Sequence, residues 1–253
     1  MSEKKLTNYD TIASKDILKI NWTYNSNAIE GNTISLGDTA YIIQYGLTVK
    51  GKSIIEHTEV LGHARAIDIV YKFITQDTLT QEDIFLLHQA VQTNIVVDIE
   101  SPIGRYKVVE NGRYVQLSDD KTEYIPYPHP NDIQYLMELW FEKFSELKNL
   151  DDFESCIEIY TDMHLCFTSI HPFFDGNGRV ARLLANIPLL KNNYLPIIID
   201  NKDKGEYIKL LSSYNLKAKI LDKNTKILLD KNDEYEKLKI FFLNQYKNSK
   251  KLL

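Results

Sequence analysis

Cysteine is scarce. The 253-residue chain has two, Cys156 and Cys166, with no CxxC pairing. That excludes a disulfide scaffold and a cysteine-rich zinc module. Both thiols fall among Phe153, Ile157, Ile159, Leu165 and Phe167 and are expected to be buried and reduced. No apolar run approaches the ~20 residues a membrane helix needs, so no membrane association is expected. Met1 to Leu6 carries two lysines and no apolar stretch, so no signal peptide is read there. These absences favour a cytoplasmic setting. Basic charge is also short: the net charge is −5, with residues 1–215 at −10 and 216–253 at +5. A nucleic-acid binder shows a basic face, so no nucleic-acid partner is expected. No internal repeat or low-complexity segment is visible.

The chemistry concentrates in twelve residues, His171 to Arg182: HPFFDGNGRVAR. His171 is the side chain there that exchanges a proton near neutral pH. Asp175 is a hard oxygen ligand of the kind that holds Mg²⁺ beside phosphates. Gly176, Asn177 and Gly178 permit a backbone nest for an anion. Val180, Ala181, Leu183 and Leu184 then read as helix, so the nest lies at a helix N-terminus. Arg179 and Arg182 lie three apart, on one side of that first turn. Alone, a His before Pro is ordinarily a helix end and DGNG ordinarily a turn. A calcium loop fails for want of further acidic ligands and a closing Glu. A base, a metal ligand, a phosphate cradle and two cations together describe a nucleotide site performing group transfer.

Around this run the chain reads as helices. Ser14 is expected to cap the first, which breaks at Gly31. Ser35 with Asp38 opens the second, ending at Gly46. A third spans about Ile54 to Ile74, and Thr80 with Asp83 caps a fourth. The rhythm fails between Gly104 and Ile125, where Asn111-Gly112 separates short β-prone runs and predicts a hairpin turn. Helices resume over Asn131 to about Leu147, Asp151 to Ile170, Asn177 to Lys191 and Asp203 to Ser213. Residues 220–229 predict a small second hairpin, and Tyr235 to Tyr246 a final amphipathic helix. The fold class is all-α with one β-hairpin at the centre.

The twelve-residue run resembles the signature of the Fic family, HPF-x-[DE]-GNGR-x-x-R, with every specified position filled. AIEGNTISL, GKSIIEHTEVLGHARAI and NYLPIII extend the likeness over about Trp22 to Asn215 and are similar to the metazoan endoplasmic-reticulum branch. The resemblance implies a Fic-type helical bundle with a β-hairpin flap. It divides the chain into an N-terminal segment with an inhibitory helix (1–35), a Fic core (36–215) and a basic C-terminal extension (216–253). It also implies an adenylyltransferase that moves AMP from ATP to a protein hydroxyl, with His171 as base and Asp175 holding Mg²⁺ (Mn²⁺ or Ca²⁺ as substitutes). Gly176, Asn177, Gly178, Arg179 and Arg182 would take the phosphates. Tyr207, Leu211 and Asn215 fall where relatives line the adenine and ribose pocket, although a core stripe explains Tyr207 and Leu211 equally well.

Ser26-Asn27-Ala28-Ile29-Glu30-Gly31 is similar to the family's inhibitory motif, in which the Glu pairs with the second Arg, here Arg182. A carboxylate competes with a terminal phosphate for that guanidinium. The resemblance implies a target protein held along the 104–125 hairpin by strand addition, with the chain itself as one target. A homodimer stays open. Removal of AMP, with Glu30 orienting a water, and a nucleotide-sensing module without catalysis stay open as well.

Overall fold

The computed structural model describes residues 12–92, 98–118, 121–145, 147, 150 and 152–253. Ten α-helices and one two-stranded antiparallel sheet are present among them. The Met1–Leu6 reading lies outside the described residues.

α1 (Ile12–Ile29) runs through Ser14, so the expected cap is an interior position. Gly31 ends this segment with φ +104, a conformation that favours glycine. α2 (Leu36–Tyr45) starts where Ser35 accepts from the Asp38 N–H, and it stops at left-handed Gly46. α3 (Ile54–Phe73) and α4 (Gln81–Val91) each begin with a capping box, Ser53 with Glu56 and Thr80 with Asp83.

The hairpin differs in register from the sequence expectation. β1 (Gly112–Ser118) pairs with β2 (Lys121–Pro126), and Gly112 faces Pro126. Asn111-Gly112 is therefore the root of the hairpin; residues 119–120 fall outside the described set. The cause is tertiary. The Asn111 carbonyl accepts from the Tyr127 N–H at 3.0 Å, which closes the root. Glycine is needed at 112 for close approach, since a Cβ there would lie 2.5 Å from the Tyr124 ring and 2.6 Å from the Ile125 carbonyl.

α5 (Ile133–Lys143) follows a 3-10 turn at Pro130–Asp132, and α6 (Phe153–Ile170) is capped by Asp152. The motif helix is shorter than expected. α7 (Asn177–Leu184) ends at Ala185, and α8 (Ile187–Lys191) follows with Pro188 in its first turn. Pro188 has no N–H to give, and Asn186 bridges the break by donating to the Arg182 and Ile197 carbonyls. α9 (Lys204–Lys217) passes residue 216, and α10 (Asp233–Ser249) packs on α6 and α9. The expected hairpin at 220–229 is absent. Asp222 instead accepts from the Asn224 N–H in a local turn, and Leu221, Leu228 and Leu229 reach into the core.

One large core joins α1 and α3 to α10, with Trp22, Trp140, Phe167, Phe173, Tyr207 and Phe242 fully buried. Cys156 and Cys166 are free and buried, as expected. α6, α7 and α1 meet at one edge of this core, which sets His171, the glycine loop and Glu30 together.

Candidate functional site

His171 ends α6 in the left-handed conformation, φ 51 and ψ 59, with its N–H on the Phe167 carbonyl at 2.9 Å. Pro172 forbids a continued helix. A non-glycine residue there stores roughly 1–3 kcal/mol of strain. The imidazole stacks on Tyr127, centroids 3.5 Å apart and planes 5° apart. Its Nδ1 is buried. Burial first, then the Lys107 ammonium and Arg113, push its pKa down to about 3; the Thr168 carbonyl and Asp175 oppose them. The ring is held neutral, the form a base requires.

The loop after His171 is cross-linked from within. Asn177 accepts from the Phe173 N–H at 2.9 Å and donates to the Phe173 carbonyl at 2.8 Å. Phe173 is buried and lies flat on His88, centroids 3.7 Å apart. Gly176 caps α7 with φ 79 and offers no side chain to the first turn. The leading N–H groups of α7 are thus left for an anion.

Asp175 accepts from the Gly176 N–H at 2.7 Å and from the Gln92 amide at 2.8 Å. Its pKa is lowered: burial works against the charge, but Gln92, Gly176 and Arg179 outweigh it. No cluster of three or more His, Cys, Asp or Glu exists among the described residues. A lone carboxylate with spare lone pairs fits Mg²⁺, which draws its other ligands from phosphates and water.

The two arginines are committed to different neighbours. Arg179 meets Glu59 at 3.3 Å and the Gln92 side-chain amide oxygen at 3.0 Å, and approaches Asp175 at 3.9 Å. Arg182, buried, donates from Nε to the Ser26 hydroxyl at 3.1 Å and from one terminal nitrogen to the Ser26 carbonyl at 3.0 Å. The same nitrogen meets Glu30 Oε1 at 2.7 Å. That contact uses one carboxylate oxygen, because Ser26 already holds part of the fork. Burial works against the Arg182 charge, and Glu30 more than restores it. Glu30 Oε1 also occupies the space where a Cβ on Gly178 would sit, 2.7 Å from it. An acidic oxygen therefore stands at the α7 N-terminus, where the helix dipole favours negative charge.

The remaining expected residues lie on α9. Tyr207 is buried, with its hydroxyl 2.8 Å from His164 Nε2, and it abuts Arg182 electrostatically from the core side. Leu211 packs half-buried on the core. Asn215 lines a shallow cleft with Arg113, Tyr127 and Ser169.

Sequence reasoning missed His88, Gln92, Glu59, Lys107, Asn111 and Tyr127. His88 lies on the buried stripe of α4 and Gln92 just past its end, both polar and four residues apart, and that was the available signal. Glu59 joins Asn32, just past Glu30, to Arg179. Tyr127 lies between Pro126 and Pro128, so its backbone is stiff.

Residues 78–189 match the family model described as Fic/DOC family. "Protein adenylyltransferase Fic" of Nematostella vectensis is 34% identical over 194 residues, 76% of this chain and 42% of that protein. "Protein adenylyltransferase Fic" of Drosophila grimshawi is 32% identical over 195 residues, 76% of this chain and 37% of that protein. The chain thus spans about two fifths of these curated relatives. The crystal structure of a Fic-domain-containing signalling protein from Bacteroides thetaiotaomicron superposes with TM-score 0.76 at 25% identity, covering 94% of this chain and 87% of that one.

Proposed function

We propose, from the premise that this chain belongs to the Fic/DOC family through residues 78–189, that it transfers AMP from ATP to a Ser, Thr or Tyr hydroxyl of a protein. The carrying observation is a neutral His171 beside Asp175 and the α7 N-terminus, which has no side-chain cap. The α-phosphate lies over Gly176, Asn177 and Gly178, and Leu211 and Asn215 border the nucleoside, with Tyr207 buried against Arg182. His171 Nε2 takes the proton as the hydroxyl oxygen attacks the α-phosphorus. The bond from that phosphorus to the bridging oxygen breaks, and pyrophosphate leaves. Asp175 would hold Mg²⁺, or Mn²⁺ or Ca²⁺ in its place, which would supply charge neutralisation to the phosphates. The chain's own contribution is positioning and fixed charge.

Glu30 restrains this reaction. Its carboxylate holds Arg182 and stands over Gly178, so a terminal phosphate meets an anion where it needs a cation. The Glu30 side chain is 39% exposed. That favours a second reading of the same site, in which Glu30 orients a water that cleaves AMP from a modified protein. The target docks along the hairpin, whose two strands have unpaired outer edges among the described residues. No helix among the described residues is long and apolar enough to cross a membrane. The two free thiols fit a reducing, cytoplasmic setting.

The test is His171→Ala, assayed by mass spectrometry for AMP adducts and by calorimetry for ATP. Transfer should fall by ~10²-fold or more while ATP affinity holds, because the cradle is backbone. Full transfer by this variant contradicts the assignment.

A further inference from the structure

The base sits on the root of the hairpin, through contacts that no part of the motif supplies. The Tyr127 ring covers one face of the His171 imidazole at 3.5 Å and 5°. Tyr127 is itself fixed. Prolines flank it, and its N–H donates to the Asn111 carbonyl at 3.0 Å. The Arg113 guanidinium lies 5.0 Å and the Lys107 ammonium 5.6 Å from the centre of its ring.

The root is also stitched to the loop that follows His171. The Lys107 N–H donates to the Pro172 carbonyl at 2.9 Å. The Asn111 amide donates to the Phe174 carbonyl at 3.0 Å, and its oxygen accepts from the Lys107 ammonium at 2.7 Å. Lys107 is buried in this arrangement, and burial lowers its pKa to about 8. A buried lysine with a carboxamide as its near partner is costly, which marks this root as built for more than anchoring a surface hairpin.

An imidazole at a chain turn rotates about its Cβ–Cγ bond unless something fixes its plane, and a proton acceptor must be aimed. We propose that Tyr127 is a positioning residue that sets the plane of the His171 imidazole, so that the hairpin root aims Nε2 at the hydroxyl of a target lying along the strands. This rests on the AMP-transfer reading. It adds that docking surface and base form one unit: β1 begins at Gly112, next to Asn111, and β2 ends at Pro126, next to Tyr127. The stack needs the aromatic ring and not the hydroxyl.

The experiment compares wild type, Tyr127→Phe and Tyr127→Leu, the last keeping apolar bulk without a ring so that folding is retained. Two readouts are taken on the full chain. One is the kcat and ATP KM of AMP transfer. The other is the proton NMR position of the His171 ring, assigned with His171→Ala. The expected result is an upfield ring-current shift in wild type and Tyr127→Phe that disappears in Tyr127→Leu. With it, kcat falls about 10- to 100-fold in Tyr127→Leu alone, at unchanged ATP KM. The ring-current shift reports the stack itself; a merely structural role would lower stability and leave kcat at its wild-type value. Wild-type kcat in Tyr127→Leu, equal damage in Tyr127→Phe, or a missing ring-current shift overturns the positioning role while transfer itself stands. No transfer by wild type or by Glu30→Gly overturns the enzymatic reading, and the positioning role with it.

Discussion

Glu30 Oε1 lies 2.7 Å from a terminal nitrogen of Arg182, and the two residues are 152 positions apart. Ser26, one turn earlier on α1, holds the same guanidinium from its hydroxyl and its carbonyl. α1 and the turn that ends it thus grip the second motif arginine at three points, two of them fully buried.

Removing the hydroxyl grip should be visible in stability. Ser26→Ala leaves the buried Nε–H of Arg182 without its acceptor, which costs about 1–3 kcal/mol. Denaturant unfolding of the variant beside wild type measures the loss. Equal midpoints and slopes would show that the Ser26 hydroxyl contributes nothing.

The histidines set the pH dependence. His171 is held at about 3 by burial and by Lys107 and Arg113. It stays neutral across pH 5–8, so kcat/KM should show no acid limb near the ordinary imidazole value of about 6.5. A limb at that pH contradicts the account.

Stability carries the matching sign. Burial first lowers His88 to about 4 and His164 to about 3. In the unfolded chain both protonate near pH 6.5, while in the folded chain they remain neutral. The unfolded state then binds more protons, so stability is full above about pH 6.5 and falls as pH drops toward the folded values. The slope is up to about 1.4 kcal/mol per pH unit for each histidine. Urea titrations at pH 7 and pH 5 test this, and His88→Gln should flatten the difference.

Asp175 presents one carboxylate, already bonded to Gly176 and Gln92. Asp175→Ala should remove the divalent-cation dependence of turnover together with most of the turnover, because the leaving pyrophosphate charge goes unneutralised. Transfer indifferent to both EDTA and this substitution rules the metal role out. Replacing Mg²⁺ by Ca²⁺, larger and looser in geometry, should change the ratio of AMP addition to AMP removal.

Local chemistry made much of this legible in advance. Ser35 with Asp38 and Thr80 with Asp83 mark helix starts because their hydroxyls accept from the first-turn N–H groups. The α6–loop–α7 arrangement follows from His-Pro and from Gly176. What the sequence concealed is tertiary. Asn111-Gly112 carries the composition of a turn, yet Asn111 is drawn to the Phe174 carbonyl and Gly112 is required beneath Tyr124. Ile227-Leu228-Leu229 carries the composition of a strand, yet Leu228 and Leu229 are taken by the core and no partner strand remains. Gln92 and Tyr127 act across 83 and 44 positions, on Asp175 and His171, and no spacing rule reaches that far.

The measurement closest to the central claim is mass spectrometry of the purified chain incubated with ATP and Mg²⁺, wild type beside Glu30→Gly. Glu30→Gly takes the carboxylate off Arg182 and clears the space over Gly178. The account predicts an AMP adduct on the chain itself, strong in Glu30→Gly, weak in wild type, and absent when His171→Ala is added. A Glu30→Gly chain that carries no more AMP than wild type would contradict it.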